Sequence, residues 1–221
     1  MSSSSSPLAA ARQAMVDRQV RPADVTRRGV IAAMLEVPRE DFAPESLRAA
    51  AYSDSPLPLG GGRQILEPRV QAKLLDLAEL EPEEKILIVG AGTGYGAALA
   101  GKLSRHVTAL ESDPALAEKA RALLEPLAPH VRVVVGDLTA GAPDSGPYDV
   151  ILLEGGVETA LESLETLDSQ LAPGGRLIFV SLEGPMGRAR LAAKGDLRGR
   201  VAFDAAATAL PGFERKPGFV F

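Results

Sequence analysis

A chain of 221 residues, 46% of them hydrophobic, is long enough to bury a sizeable core in one domain. The lack of cysteine excludes disulfides, thiolate catalysis and cysteine-based metal sites, and the two histidines, both beside predicted strands, argue against a histidine-bound metal. The net charge of −5 argues against nonspecific nucleic-acid binding, and no apolar run approaches the ~18 residues of a membrane span. Because no secretion signal is recognisable, we expect a cytoplasmic protein. We also expect it to be a monomer that binds neither nucleic acid nor membrane.

The first third of the sequence is predicted to be mainly helical. A serine-rich tail, residues 1–7, is expected to be disordered, and a helix is predicted at 9–20. Asp24 or Thr26 is the predicted cap of a second helix, which Pro38 ends.

A loop and one more helix complete this part of the chain, residues 8–82. Residues 51–62 are rich in proline and glycine, which predicts a loop. Pro68 then stands at the first position of a helix, and apolar residues at helical spacing give this helix a buried stripe: Val70, Leu74 and Leu77.

From Lys85 onward the pattern alternates between strand, loop and helix. Continuous apolar strands are predicted at residues 85–89, 107–110, 131–135, 148–153 and 176–181. Such strands, separated by helices, indicate a parallel sheet that is covered on both faces. We therefore predict an α/β fold in which residues 83–182 form a doubly wound, mostly parallel, Rossmann-like sheet. Residues 183–221, with strand candidates around Arg190 and Val201, are expected to add an antiparallel edge to the same domain.

A glycine-rich turn follows the first of these strands and carries the main functional signal. It consists of Gly90, Ala91, Gly92, Thr93, Gly94 and Tyr95. Glycines let the backbone turn tightly and approach a ligand closely. Glu111 ends the next strand and can accept both ribose hydroxyls, while Asp137, followed by Leu138, ends the third strand and can accept an adenine amino group. This ordered set predicts a nucleotide cofactor, which we expect to be S-adenosylmethionine.

Two rival ligands fit the glycine turn less well. A dinucleotide fingerprint counted from Gly90 requires a small residue where Tyr95 stands, and one counted from Gly92 begins late relative to the strand. A phosphate loop is nearly spelled from Gly96 to Lys102, but the next residue is leucine instead of the serine or threonine that binds magnesium. The non-functional alternative is a tight turn whose glycines only pack the helix on the strand.

Over nearly its whole length the sequence resembles the protein-L-isoaspartate O-methyltransferase family. The blocks that carry this resemblance are Val37-Pro38-Arg39-Glu40, Ala51-Tyr52-Ser53-Asp54, Pro56-Leu57-Pro58-Leu59-Gly60, Gly62 to Pro68, Gly90 to Tyr95 and Gly174-Gly175-Arg176-Leu177. The resemblance implies a cofactor core with N-terminal helices and a substrate loop. It also implies methylation of the α-carboxyl of isoaspartyl residues by S-adenosylmethionine, as a step in protein repair. The substrate would be a protein or peptide with an exposed carboxylate, which is already ionised at neutral pH and needs no general base.

The substrate loop departs from the family pattern. The family usually has glycine-glutamine-threonine-isoleucine-serine before the proline, whereas Gln64 and Leu66 occupy the two hydroxyl positions here. Leu66 cannot donate a hydrogen bond, but Arg63 has been gained, and a guanidinium can hold a carboxylate by two parallel bonds. We therefore predict that Arg63 and Gln64 bind the acceptor carboxylate; the alternative is that Arg63 faces solvent.

Three more departures concern the cofactor core. Ile88 replaces the usual acid before the glycine turn, which removes a partner for the amino group of the cofactor. Leu138 replaces a glycine, and Glu154-Gly155-Gly156 replaces a run of small residues after the fourth strand. Three hypotheses remain open: a methyltransferase acting on isoaspartyl or another carboxylate, a family member that binds the cofactor but serves as a regulatory or binding module, and a dehydrogenase.

Overall fold

The computed structural model describes residues 6–158, 164–183 and 186–215, and a central sheet organises this part of the chain. The strands, in chain order, are β1 (Leu57–Gly60), β2 (Arg63–Ile65), β3 (Lys85–Val89), β4 (His106–Glu111), β5 (Arg132–Val135), β6 (Tyr148–Val157), β7 (Leu171–Ser181), β8 (Arg188–Ala193) and β9 (Arg200–Asp204). The first two strands form a hairpin, and the other seven form one sheet in the order β5-β4-β3-β6-β7-β8-β9. Pairing is parallel from β5 to β7 and antiparallel from β7 to β9. The predicted doubly wound sheet with an antiparallel edge is confirmed.

The strand order reverses between β3 and β6, which are neighbours in the sheet although β4 and β5 lie between them in sequence. In open α/β sheets the crevice at the carboxyl ends of two such strands is where ligands bind. The glycine turn follows β3, and Glu154 lies on β6 directly after Leu153, the partner of the last residue of β3, so this crevice is the candidate site.

Seven α-helices are described: α1 (Pro7–Met15), α2 (Arg28–Glu36), α3 (Arg39–Phe42), α4 (Pro68–Ala78), α5 (Tyr95–Gly101), α6 (Pro114–Leu124) and α7 (Glu165–Ser169). After α1 the chain continues into a π-helical segment, Val16–Val20, so the helix predicted at 9–20 is present but changes its winding. Residues 1–5 of the predicted disordered tail lie outside the described residues. Ser6 accepts the backbone N–H of Ala9 as the cap of α1, so the tail prediction is wrong for Ser6 and Pro7.

Helix α2 takes its cap from another helix. Asp24 has a left-handed backbone, and Arg27, at the cap position of α2, makes no side-chain cap bond. Instead Oδ1 of Asp76, in α4, accepts the backbone N–H groups of Thr26 at 3.1 Å and Arg27 at 2.9 Å. The predicted cap by Asp24 or Thr26 is therefore wrong, because a carboxylate distant in sequence satisfies these orphan donors.

The predicted loop at 51–62 contains a strand. β1 pairs antiparallel with β2, placing Leu57 opposite Ile65 and Pro58 opposite Gln64. The glycines that suggested a loop form the hairpin turn, and proline is tolerated in β1 because a two-stranded hairpin has free edges. The hairpin leads directly to Leu66 and α4, so it fixes where the substrate loop lies.

Both faces of the central sheet are buried. Ile86 and Ile88 of β3 pack in one apolar cluster with residues of the N-terminal helices, such as Met34. Leu87, on the opposite face of the same strand, packs in a second cluster that includes Leu167 of α7. In the described ranges no helix is long and apolar enough to cross a membrane.

Candidate cofactor site

The glycine turn lies at the carboxyl edge of the sheet, between β3 and α5. The backbone N–H of Gly90 donates to the carbonyl of Leu110 at 2.9 Å, which fixes the turn against β4. Gly90 and Gly92 have φ of 82° and 57°, in the left-handed region that favours glycine. A Cβ atom on Gly90 would lie 2.8 Å from Leu210 and 3.0 Å from Nη2 of Arg63, so other side chains already pack on the turn.

The larger side chains of the turn point toward the N-terminal helices. Thr93 donates its hydroxyl to the carbonyl of Phe42 at 2.8 Å. Tyr95 is 1% exposed, packs edge-on against Phe42, and lies 5.1 Å beneath the guanidinium of Arg39. Ala91 is buried as well. The predicted roles of these residues in cofactor binding therefore rest on their backbone, while their side chains anchor α5.

Glu111 is the most highly coordinated acid of the site. Its side chain is fully buried at the end of β4. Oε2 accepts the backbone N–H of Gly92 at 2.6 Å, and Oε1 accepts those of Ser112 at 2.8 Å and Asp113 at 3.0 Å. The carboxylate therefore ties the glycine turn to the loop after β4 and is held at the position where the sequence predicts ribose recognition.

Arg63 binds Glu111 directly. Its Nη2 lies 2.5 Å from Oε2 and its Nε 3.3 Å from Oε1, in a two-point ion pair between side chains that are 4% and 0% exposed. The alternative of a solvent-facing arginine is therefore wrong. The structure places Arg63 on the cofactor side of the crevice, in contact with the residue expected to bind ribose.

Asp137 and Leu138 differ in their exposure. Asp137 is exposed after β5, and its Oδ1 accepts the backbone N–H and the hydroxyl of Thr139 at 2.8 and 2.7 Å. These bonds hold the pKa of Asp137 below its usual range, so the side chain is an anionic acceptor near neutrality. Leu138 is buried in the cluster that contains Leu110. Adenine recognition by Asp137 stays a prediction.

A family model described as Protein-L-isoaspartate(D-aspartate) O-methyltransferase matches residues 10–193. This chain belongs to the protein-L-isoaspartate O-methyltransferase family. Among its relatives, the Protein-L-isoaspartate O-methyltransferase 1 of Rhodopseudomonas palustris is 41% identical over 180 residues, which cover 81% of this chain and 72% of that protein. The protein-L-isoaspartate O-methyltransferase of Methanopyrus kandleri is 41% identical over 174 residues, covering 76% of each chain.

Solved structures of the family share this architecture. A protein-L-isoaspartate O-methyltransferase structure matches with a TM-score of 0.77 and 26% identity, covering 92% of this chain and 67% of that one. A second one, from Plasmodium falciparum in complex with S-adenosyl-L-homocysteine, has a TM-score of 0.74 at 19% identity, covering 89% and 96% of the two chains. At that identity the second match shows the common fold alone.

The segment that the resemblance predicts to be the substrate loop runs from β2 into α4 and makes two further contacts. Oε1 of Gln64 accepts the hydroxyl of Thr208 at 2.9 Å, so this side chain is linked to the C-terminal segment. Leu66 is 1% exposed, and its carbonyl accepts Nη2 of Arg39 at 2.8 Å. Leucine at this family hydroxyl position is thus part of the apolar core.

Arg39 supports this loop, and this role was not predicted from the sequence. It is fully buried, and its Nε also donates to the carbonyl of Ala51 at 2.8 Å. No carboxylate hydrogen-bonds it among the described residues, and burial lowers its pKa. From the sequence, Arg39 was noted only as part of the Val37–Glu40 block, because nothing in the local sequence indicates that its side chain is buried.

Glu154 is a second buried ionisable residue for which no role was predicted from the sequence. It is 7% exposed on β6, and its Oε1 accepts the amide of Gln71 at 2.8 Å. A Cβ atom on Gly96 would lie 1.4 Å from that oxygen, so any other residue there would have to displace the carboxylate. Burial raises the pKa of Glu154 to about 7, although the bond from Gln71 acts in the opposite direction.

We predict that Glu154→Gln removes a pH dependence of stability. The carboxyl has a pKa of about 7 when folded, against an ordinary value of 4.5, so the folded state binds more protons between these values. The free energy of unfolding should therefore fall as pH rises through this window, by on the order of 3 kcal/mol. Urea unfolding at pH 5 and pH 8 should show this fall in the wild type and not in the variant. Glu118→Gln, at an exposed site, is the matched control and should behave as the wild type. An unchanged fall in Glu154→Gln would contradict the assignment.

Proposed function

We propose that this protein transfers the methyl group of S-adenosylmethionine to the α-carboxyl of isoaspartyl residues in damaged proteins. The observation that carries the proposal is the family match over residues 10–193, which includes both the substrate loop and the cofactor core. Neither the binding-module nor the dehydrogenase hypothesis gains support from the site. That the protein is a cytoplasmic monomer without nucleic-acid or membrane partners stays a prediction.

The residues of the crevice have the chemical groups that the proposed cofactor requires. The glycine turn has no Cβ at Gly90 and Gly92, Glu111 is an acceptor for ribose hydroxyls, and Asp137 is an anionic acceptor for an adenine amino group. Bound there, the cofactor supplies an electrophilic methyl group on a sulfonium. The isoaspartyl carboxylate is already a nucleophile, so the protein has only to position it and exclude water. We assign that positioning to Arg63 and Gln64 at the substrate loop.

Methyl transfer from radiolabelled S-adenosylmethionine to an isoaspartyl peptide tests this function, with the same peptide containing ordinary aspartate as the control. Incorporation of base-labile label into the isoaspartyl peptide alone is expected, since a carboxyl methyl ester is labile to base. No incorporation into the isoaspartyl peptide would contradict the function.

Restoring the family's loop hydroxyls should raise the activity. Gln64→Thr with Leu66→Ser adds donors for the acceptor carboxylate, and one added hydrogen bond of roughly 1 kcal/mol corresponds to about a fivefold rise in kcat/KM. Gln64→Thr with Leu66→Ala is the matched control, because it loses the same core packing without gaining the second hydroxyl. Equal activity of the two double variants would show that a hydroxyl at position 66 has no role in this protein.

A further inference from the structure

Glu111 already has more donors than it can serve fully. Two carboxylate oxygens offer about four lone-pair sites. Three are engaged by backbone N–H groups of Gly92, Ser112 and Asp113, the hydroxyl of Ser112 adds a longer bond at 3.3 Å, and Arg63 supplies two further N–H groups. Two ribose hydroxyls would crowd this carboxylate further unless they take the place of two present donors, and Arg63 supplies two.

Arg63 is the partner that can leave. The backbone donors are fixed by the glycine turn and by the start of α6, whereas Arg63 lies on β2 of a hairpin that belongs to a separate sheet. Its guanidinium also covers the turn, because Nη2 is 3.0 Å from where a Cβ on Gly90 would stand. A ligand that approaches Gly90 must therefore displace this guanidinium.

Two leucines cover the same surface from either side. Leu59, on β1, lies 2.8 Å from where a Cβ on Gly92 would stand, and Leu210 lies equally close to the corresponding position on Gly90. The hairpin is joined to the C-terminal segment through the bond between Thr208 and Gln64. Arg63 is thus the polar member of a cover over the turn, and it is held there mainly by Glu111.

We propose that Arg63 exchanges partners when the cofactor binds: its guanidinium leaves Glu111 as the ribose hydroxyls arrive, and it then holds the acceptor carboxylate. This partner exchange rests on the proposed function, since it takes S-adenosylmethionine as the ligand of Glu111. It makes Arg63 a residue that lowers cofactor affinity and raises acceptor affinity. It also sets an order, with the cofactor bound before the acceptor.

The exchange couples the two ligands thermodynamically. In the free protein the guanidinium is neutralised by Glu111 and offers little to a second carboxylate. Once the cofactor occupies Glu111, the guanidinium is buried without a partner and favours an anionic acceptor. By linkage, each ligand must then tighten the other by the same factor.

Calorimetric titration with S-adenosylhomocysteine tests the first half of the exchange. Arg63→Gln should bind it about tenfold more tightly than the wild type. The state in which Arg63 is paired with Glu111 no longer competes with the ligand, so a larger fraction of the protein can bind it. Arg63→Lys, which keeps the charge but loses the two-point geometry, should lie between them and remains informative if Arg63→Gln does not fold. Arg69→Gln removes a half-buried arginine paired with Glu67 on the same segment and should leave the affinity unchanged.

Binding of a fluorescent isoaspartyl peptide tests the second half. Saturating S-adenosylhomocysteine should tighten peptide binding to the wild type about tenfold, and Arg63→Gln should abolish this effect; an aspartyl peptide is the control. Equal affinity of the wild type, Arg63→Gln and Arg63→Lys for S-adenosylhomocysteine would overturn the exchange while leaving the function intact. If none of them binds S-adenosylhomocysteine, the cofactor assignment fails and the exchange fails with it.

Discussion

Glu111→Ala should destabilise the free protein by about 3–5 kcal/mol, because it leaves the guanidinium of Arg63 buried without its counter-charge. The same variant should bind S-adenosylhomocysteine more weakly by about 1–3 kcal/mol, since the ribose hydroxyls lose a charged acceptor. Urea unfolding measures the first effect and calorimetry the second. Both follow from one carboxylate that accepts three backbone N–H groups and a two-point ion pair.

A second substitution separates these two effects of Glu111→Ala. Adding Arg63→Met removes the stranded charge, so the double variant should recover much of the stability without recovering cofactor binding. Glu118→Ala, in an exposed ion pair of α6, controls for loss of an acid and should change neither quantity by more than about 0.5 kcal/mol. Stability of Glu111→Ala within about 1 kcal/mol of the wild type would be incompatible with the buried pair.

Ile88→Glu should destabilise the protein by about 3–5 kcal/mol at neutral pH, because a carboxylate would enter a dry sheet face. Ile88 is fully buried, and it lies in register with Ala109 of β4 and Leu152 of β6. The loss should shrink at pH 5, where protonation of the new carboxyl lowers the cost of burying it.

Ile88→Gln is the matched control, since it adds a polar group of the same size without the charge. Urea unfolding at pH 5 and pH 8 should show a pH-dependent loss for Ile88→Glu and a smaller, constant loss for Ile88→Gln. A stable Ile88→Glu variant that binds S-adenosylhomocysteine more tightly than the wild type would instead place position 88 in the cofactor site.

The sheet could be predicted from the sequence because each strand carries its own signal. β3 was predicted with its observed bounds, since the apolar run from Ile86 to Val89 ends at Gly90, whose φ of 82° turns the chain out of the strand. β6 and β7 extend beyond their predicted ends, as glycines and a proline at those ends concealed strand pairing. The hairpin was missed for the same reason. Its two segments become strands because they pair with each other, whereas their local sequence predicts a loop.

The composition of the site was predictable, but its connections were not. The sequence indicated Glu111 from its place after a strand and Arg63 from its place in a family block, yet their ion pair joins residues 48 positions apart. Glu154 went unassigned because its importance comes from burial against Gly96 and Gln71, which only tertiary packing creates. Local sequence patterns predict the element on which a residue lies, whereas its buried contacts depend on how distant elements pack together.

The carboxylate of Asp76 has a consequence for how the molecule opens. Since it accepts the N–H groups of Thr26 and Arg27, the two residues that lead into α2 are protected from exchange only while α4 is intact. Arg27 strengthens the link by donating to the carbonyl of Leu80, just beyond α4. In amide hydrogen exchange, these two protons should therefore exchange no later than the opening of α4, even though the residues lie about 50 positions away in sequence. The start of α2 and helix α4, which follows the substrate loop, therefore form one cooperative unit. A change in the loop that destabilises α4 would also destabilise the start of α2.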